Sequence, residues 1–163
     1  MFKIGEYVVY GNKGVCQIKD VGPISMPGVS KDKKYYTLDQ IFLRGSTIFT
    51  PVDSDKLRKV MSKEEAEALL LDVADMSPEW VKDDKARERQ FTETLRAAES
   101  RSLCEMLIVL YNRREERIAS GKKATTTDER YFHAAEDILY GELTVALDLK
   151  RDEVKKRFFD IVK

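Results

Sequence analysis

Leu57-Arg-Lys-Val-Met-Ser62-Lys-Glu-Glu65-Ala-Glu-Ala-Leu-Leu-Leu-Asp-Val73 is the stretch that decides the fold, because the spacing of apolar residues changes within it. Ser62-Lys-Glu-Glu65 is a capping box, in which a serine hydroxyl and a glutamate three residues later satisfy each other's backbone N–H groups at a helix start. Ala66, Leu69, Leu70 and Val73 then follow at helical spacing. Upstream, apolar residues occur in short runs or in alternation. This switch predicts an α+β protein, with a strand-rich half over residues 1–60 and a helical half over 61–163.

Working back toward the N-terminus, Tyr7-Val-Val-Tyr10 is a short β-branched and aromatic run, and Gly11-Asn-Lys-Gly14 has the composition of a turn. Val15-Cys-Gln-Ile-Lys-Asp-Val21 alternates, and a Gly-, Pro- and Ser-rich loop follows to Ser30. Tyr35 to Phe42 predicts a third strand with Tyr36, Leu38, Gln40 and Phe42 on one face. Leu43-Arg-Gly-Ser46 turns into Thr47-Ile-Phe-Thr50, which Pro51 closes, and Leu57 to Val60 supplies a fifth strand. Five short antiparallel strands in so few residues fit a small SH3- or Tudor-like barrel better than a sandwich.

Working forward, Ser77-Pro-Glu reads as a helix start just ahead of Trp80. Met106-Leu-Ile-Val-Leu-Tyr111 is apolar on all sides and predicts the centre of a helical bundle. Asn112-Arg-Arg-Glu-Glu-Arg117 ends that helix. Thr126-Thr-Asp-Glu129 reads as a second capping box, opening a helix through Tyr131, Ala135, Ile138, Leu139 and Leu143. Gly141 inside it costs about 1 kcal/mol relative to alanine, which a close helix crossing would explain. Val154, Phe158 and Ile161 mark a last helix.

The 163 residues are 42% hydrophobic and 36% charged, enough for a core together with long solvated helices. No apolar run approaches the roughly 20 residues of a membrane span, and the N-terminus has no apolar leader, so a cytoplasmic protein with no membrane partner is expected. Cys16 and Cys104 fall in different halves without metal-like spacing and read as buried thiols. Net charge is zero, but its distribution is uneven. Residues 1–60 hold 10 Lys+Arg and 6 Asp+Glu; the remainder holds 29 − 10 = 19 basic and 29 − 6 = 23 acidic residues. Any DNA contact made by the second half must therefore be a local patch of weak, non-sequence-specific affinity.

The candidate for that patch is Met76-Ser-Pro-Glu-Trp80-Val-Lys82-Asp-Asp-Lys85-Ala-Arg-Glu-Arg89, which contains the only tryptophan. With a helix starting near Val81, Lys82, Lys85, Arg89 and Arg96 lie within about 60° of one another on a wheel. Phe91, Leu95 and Ala98 lie on the other side, placing Trp80 at the rim between a basic stripe and an apolar face. Two roles fit: a core tryptophan under a solvated face, or an aromatic wedge at a base step with cations on the flanking phosphates.

No catalytic constellation is visible. The single His133 lies within a helical pattern, and there is no phosphate loop, nucleophile elbow or metal cluster. The acids occur among lysines and arginines at i±3 and i±4, as on solvated helix faces. We expect no enzyme, no cofactor and no metal.

Phe2-Lys-Ile-Gly-Glu-Tyr-Val-Val-Tyr10 and Gly14-Val-Cys-Gln-Ile18, with Tyr35-Tyr-Thr-Leu38 and Thr50-Pro51-Val52 in the same order and spacing, resemble the CarD/CdnL family of transcription regulators. Trp80 ahead of a basic helix and Ile138-Leu-Tyr-Gly-Glu-Leu143 resemble that family's helical half. The resemblance implies a bacterial accessory factor of RNA polymerase. Residues 1–60 would form a Tudor-like domain that adds a strand to the polymerase β subunit through Thr47, Ile48, Phe49, Thr50 and Pro51. Residues 61–163 would meet promoter DNA at the upstream edge of the melted bubble. Trp80 would be the minor-groove wedge, Lys82, Lys85 and Arg89 would hold phosphates, and a monomer in the complex would stabilise the open promoter. The alternative is a polymerase- or protein-binding adaptor that never touches DNA.

Overall fold

In the computed structural model, which describes residues 1–42 and 47–162, an antiparallel sheet is followed by five helices, so the protein is α+β. The expected turn at residues 43–46 lies outside the described residues. The strands are β1 (Tyr7–Tyr10), β2 (Val15–Gly22), β3 (Tyr35–Gln40), β4 (Ile48–Pro51) and β5 (Leu57–Lys59). Hydrogen bonding runs in the order β4-β3-β2-β1-β5 and does not join β4 to β5, so the strands form a sheet that is not closed by hydrogen bonds into the small SH3- or Tudor-like barrel expected. Val8, Cys16, Ile18, Tyr36 and Leu38 are buried together on one face as alternation predicts, but the register of β2 shifts between Ile18 and Asp20, and β3 ends at Gln40 where a strand to Phe42 was expected. Ile48 from one edge strand and Leu57 from the other pack against this same cluster, which curls the sheet around it.

The helices are α1 (Lys63–Val73), α2 (Asp84–Ala97), α3 (Ser100–Ala119), α4 (Thr126–Leu147) and α5 (Arg151–Val162). The capping box at the start of α1 forms as read, with the Ser62 hydroxyl accepting from the Glu65 N–H and the Glu65 carboxylate from the Ser62 N–H. Three local expectations shift. Helix α2 begins at Asp84, not near Val81, because the Asp83 carboxylate caps it by accepting from the Ala86 N–H at 2.8 Å; the Ser77-Pro-Glu signal starts no helix. Helix α3 runs through to Ala119 and does not end at Asn112–Arg117. Helix α4 is capped one residue earlier than read, by the Thr125 hydroxyl on the Asp128 N–H.

A second and larger core joins both halves. It contains Leu103, Leu107, Leu139, Leu143 and Phe158 from the helices together with Val9 and Val15 from the sheet. Met106 to Leu110 are all buried in it, as their all-round apolar character predicts. Gly141 is where helix and sheet approach: a Cβ there would sit 3.2 Å from the Phe42 ring and 3.7 Å from a Val15 methyl. The close approach is thus against the Phe42 ring just past β3 and Val15 of β2, and not against another helix.

One buried ion pair ties the halves together. Glu142 has no exposed surface and accepts from both terminal nitrogens of Arg58 of β5, at 2.6 and 2.7 Å. The Ser100 hydroxyl (3.0 Å) and the Met61 N–H (2.9 Å) occupy further positions on the same carboxylate. Arg58 also donates to the Ala98 carbonyl at 2.6 Å. Burying the Glu142 charge is tolerable because its carboxylate is partnered in this way, although the buried Nε of Arg58 has no hydrogen-bond partner among the described residues.

Candidate functional site

The sheet has two edges, and they differ in what covers them. Strand β5 lies against the helices through Arg58. Strand β4 is hydrogen-bonded to β3 on one side, and no strand among the described residues is hydrogen-bonded to its other side. Its register pairs Leu38 with Ile48, Thr37 with Phe49, Tyr36 with Thr50 and Tyr35 with Pro51. The Val52 N–H donates to the Lys34 carbonyl at 3.2 Å, so the residue pair 34/52 is one whose backbone groups face each other. Alternation along an antiparallel ladder then turns the N–H and C=O of Ile48 and Thr50 toward β3 and those of Phe49 outward. Pro51 falls on the outward side as well, where its missing N–H costs no ladder bond.

Side chains of β4 alternate in the same rhythm. Ile48, Thr50 and Val52 face the sheet's own core, while Phe49 points to the opposite face and is 44% exposed. Thr47 is exposed and lies just before the strand, and Pro51 lies inside it, a shift of one residue from the sequence reading.

Trp80 sits on an irregular segment between α1 and α2. It is half-buried, packs against the helical core and meets Phe91 edge-on with ring centroids 6.4 Å apart. Two guanidinium groups lie over its ring, Arg87 at 4.4 Å and Arg113 of α3 at 5.2 Å from the centroid. Arg87 further donates to the Val81 carbonyl at 2.8 Å and to the Asp84 carboxylate at 2.7 Å, which pins the segment carrying the indole. Beside the ring is a cavity of about 340 Å³, reached by Arg87, Arg113, Arg117, Asp128 and Tyr131.

The basic residues read from the sequence are placed differently. Lys82 precedes the α2 cap and so does not belong to a helical stripe. Lys85 and Arg89 share one exposed face of α2, about 160° around the helix from Arg87, and line a separate shallow concavity with Thr92, Tyr131 and the carboxylates of Glu88 and Glu93. Lys82, Lys85 and Arg89 make no ion pair among the described residues, whereas Arg96 is held by Glu93 and Arg101 by Asp72 and Glu105. Phe91 and Ala98 are buried and Leu95 is packed against the core, as the wheel predicts. Sequence reading missed Arg87 and Arg113 as neighbours of Trp80. Arg87 carried a signal, seven residues on from the indole within the same charged stretch; Arg113 is brought there only by the packing of α3 on α2.

Burial pushes the Cys16 thiol up to about 11, helped by the nearby Asp39 carboxylate, and the Cys104 thiol up to about 12. Both are buried and unpaired, as read. No helix of the described residues is long and apolar enough to cross a membrane.

Among the described residues, β4 is thus an edge strand, and residues 47–52 carry no charged side chain. Residues 2–63, which hold the sheet and reach the first residue of α1, match the family model described as the CarD-like/TRCF RID domain. The match agrees with the resemblance of the opening residues and stops at Lys63, before the Trp80 segment. No curated protein matches the chain.

Proposed function

We propose that this protein is a transcription regulator that docks on the β subunit of RNA polymerase and stabilises the open promoter complex. The observation that carries the reading is the β4 edge, unpaired by any strand among the described residues and lying within the match to the CarD-like/TRCF RID domain, whose outward Phe49 N–H and C=O suit strand addition. The buried Arg58–Glu142 pair and the shared core hold that edge in a fixed relation to Trp80. Promoter DNA at the upstream edge of the bubble is then met by Trp80 as the wedge. Lys85 and Arg89 lie on phosphates as cations without a carboxylate partner, and Lys82 contributes from the segment between. Only a few phosphates are engaged, so DNA binding is weak without polymerase and carries no sequence preference. The protein acts as a monomer in the cytoplasm, with no enzymatic activity and no cofactor.

A wedge must expose its ring, and here two arginines cover it. Wedging therefore requires Arg113 to move from the indole to a phosphate, while Arg87 stays to hold the segment. The same cover favours the second reading, an adaptor that leaves Trp80 as packing and touches only protein.

The test is the lifetime of open complexes formed by polymerase and a promoter with the full-length protein. Trp80→Ala is expected to shorten that lifetime severalfold while polymerase affinity is kept. Because the indole is half-buried against Phe91, the same change lowers folding stability by about 1–2 kcal/mol. Lys85→Ala and Arg89→Ala are expected to leave stability unchanged and to lower the salt dependence of the same step by about one unit of slope each. A wild-type lifetime with Trp80→Ala at temperatures where that variant is folded would contradict the wedge.

A further inference from the structure

The outward face of the docking edge has a chemistry that says what it selects. We infer that the Phe49 side chain is the specificity-determining contact of this edge, and that the strand it accepts carries an apolar side chain directly opposite it. The inference rests on the docking reading above and deepens it.

The outward N–H and C=O of Phe49 are the pair that an added antiparallel strand would bond, which puts one partner residue directly opposite, about 5.5 Å away between Cα atoms. Side chains of directly opposed residues lie on the same face of a sheet. The partner's side chain thus falls on the face that carries Phe49, beside Thr37 and the half-buried Tyr35 and Pro51 of the same face. That face is not the sheet's own core, which is filled by Ile48, Tyr36, Leu38 and their neighbours. Protein edges are ordinarily blunted by charge, lysine above all. Here residues 47–52 contain no charged side chain, and a ring that is 44% exposed stands at the middle of the edge. An incoming strand therefore meets no charged side chain from β4 itself, and gains most when an aliphatic or aromatic residue covers the ring.

The occupant is a strand of RNA polymerase, since the sheet lies within the match to the CarD-like/TRCF RID domain. A second copy of this chain is the competing occupant, because an uncharged edge can also pair with itself.

The experiment measures the affinity of the full-length protein for RNA polymerase core enzyme, together with the sedimentation of the free protein. Phe49→Leu is expected to bind within about threefold of wild type, because the apolar cover survives. Phe49→Ser is expected to weaken binding about 10- to 30-fold, from the loss of buried ring area and of the cross-strand pair. Phe49→Glu should weaken it further. Phe49→Pro also removes the outward donor and should bind less well than Phe49→Ser. Wild-type affinity of Phe49→Ser alongside lost binding of Phe49→Pro would overturn the side-chain inference and leave strand addition standing. Unchanged binding of Phe49→Pro would instead remove the docking reading itself. A free protein that dimerises, and becomes monomeric with Phe49→Pro, would make a second copy the occupant. The ring lies outside the sheet's core, so each variant should melt close to wild type.

Discussion

Glu142→Ala is expected to lower folding stability by about 3–5 kcal/mol, a large share of the net stability of a domain. It leaves the Arg58 guanidinium in a largely buried position without its counter-ion, and strips the Ser100 hydroxyl and the Met61 N–H of their acceptor. Arg58 keeps the Ala98 carbonyl and its side chain is 32% exposed, so it recovers part of the loss from water, which favours the lower end of the range. For a chain of this length the melting temperature should fall by roughly 6–12 °C. Replacing both partners, as in Arg58→Met with Glu142→Leu, should cost less than Glu142→Ala alone, because no charge is left buried. Calorimetry on the two variants checks this. A double variant no more stable than the single one would mean that the pair is not the source of the loss. The pair also bears on whether residues 1–60 stand alone. That segment has its own core around Tyr36 and Leu38, but it lends Val9, Val15 and Arg58 to the helices.

The second large effect separates two prolines placed one residue apart on β4. Ile48→Pro should unfold the sheet locally and cost about 3 kcal/mol or more, since the Ile48 N–H faces β3 and its side chain packs on the inner cluster. Phe49→Pro should leave the sheet intact, because its N–H faces outward and Pro51 already occupies the same side of the strand. Yet it should cost about 100-fold in polymerase affinity, combining the lost ring with the lost donor and the clash of a proline ring with an added strand. Melting curves and affinity measured on both variants would show the two losses crossing over. If both variants melted alike and bound alike, the assignment of inward and outward backbone groups would be wrong.

The strand-rich half was legible because its signals are local. Alternation placed Tyr36 and Leu38 on one buried face and Pro51 marked an edge strand, but β3 stops at Gln40, short of the expected Phe42, and a register shift between Ile18 and Asp20 breaks the alternation of β2. That the sheet stays open was not legible, since closure depends on hydrogen bonds between strands far apart in sequence. Among the helices, apolar spacing placed Phe91, Leu95, Ala98 and Met106–Leu110 against the core. Starts were less certain wherever two polar residues competed for the cap, as with Ser77 and Asp83, or Thr125 and Thr126. Glu142 was read with the solvated acids, although its position within Ile138-Leu-Tyr-Gly-Glu-Leu143 was a signal that it is buried. Lys85 and Arg89 stand on an exposed face as read, but Trp80 is covered from the opposite flank of α2 and from α3, an arrangement only tertiary packing could specify.

The central claim, that the edge of the sheet brings Trp80 to melted DNA on polymerase, is met most directly by crosslinking. A photoreactive amino acid placed at position 80 of the full-length protein, bound to polymerase on a labelled promoter, is predicted to crosslink DNA at the upstream edge of the bubble. That signal should disappear when Phe49→Pro is added, because docking is lost. Crosslinks that reach only polymerase subunits, in a complex shown to be open, would contradict the account and leave the protein an adaptor that does not touch DNA.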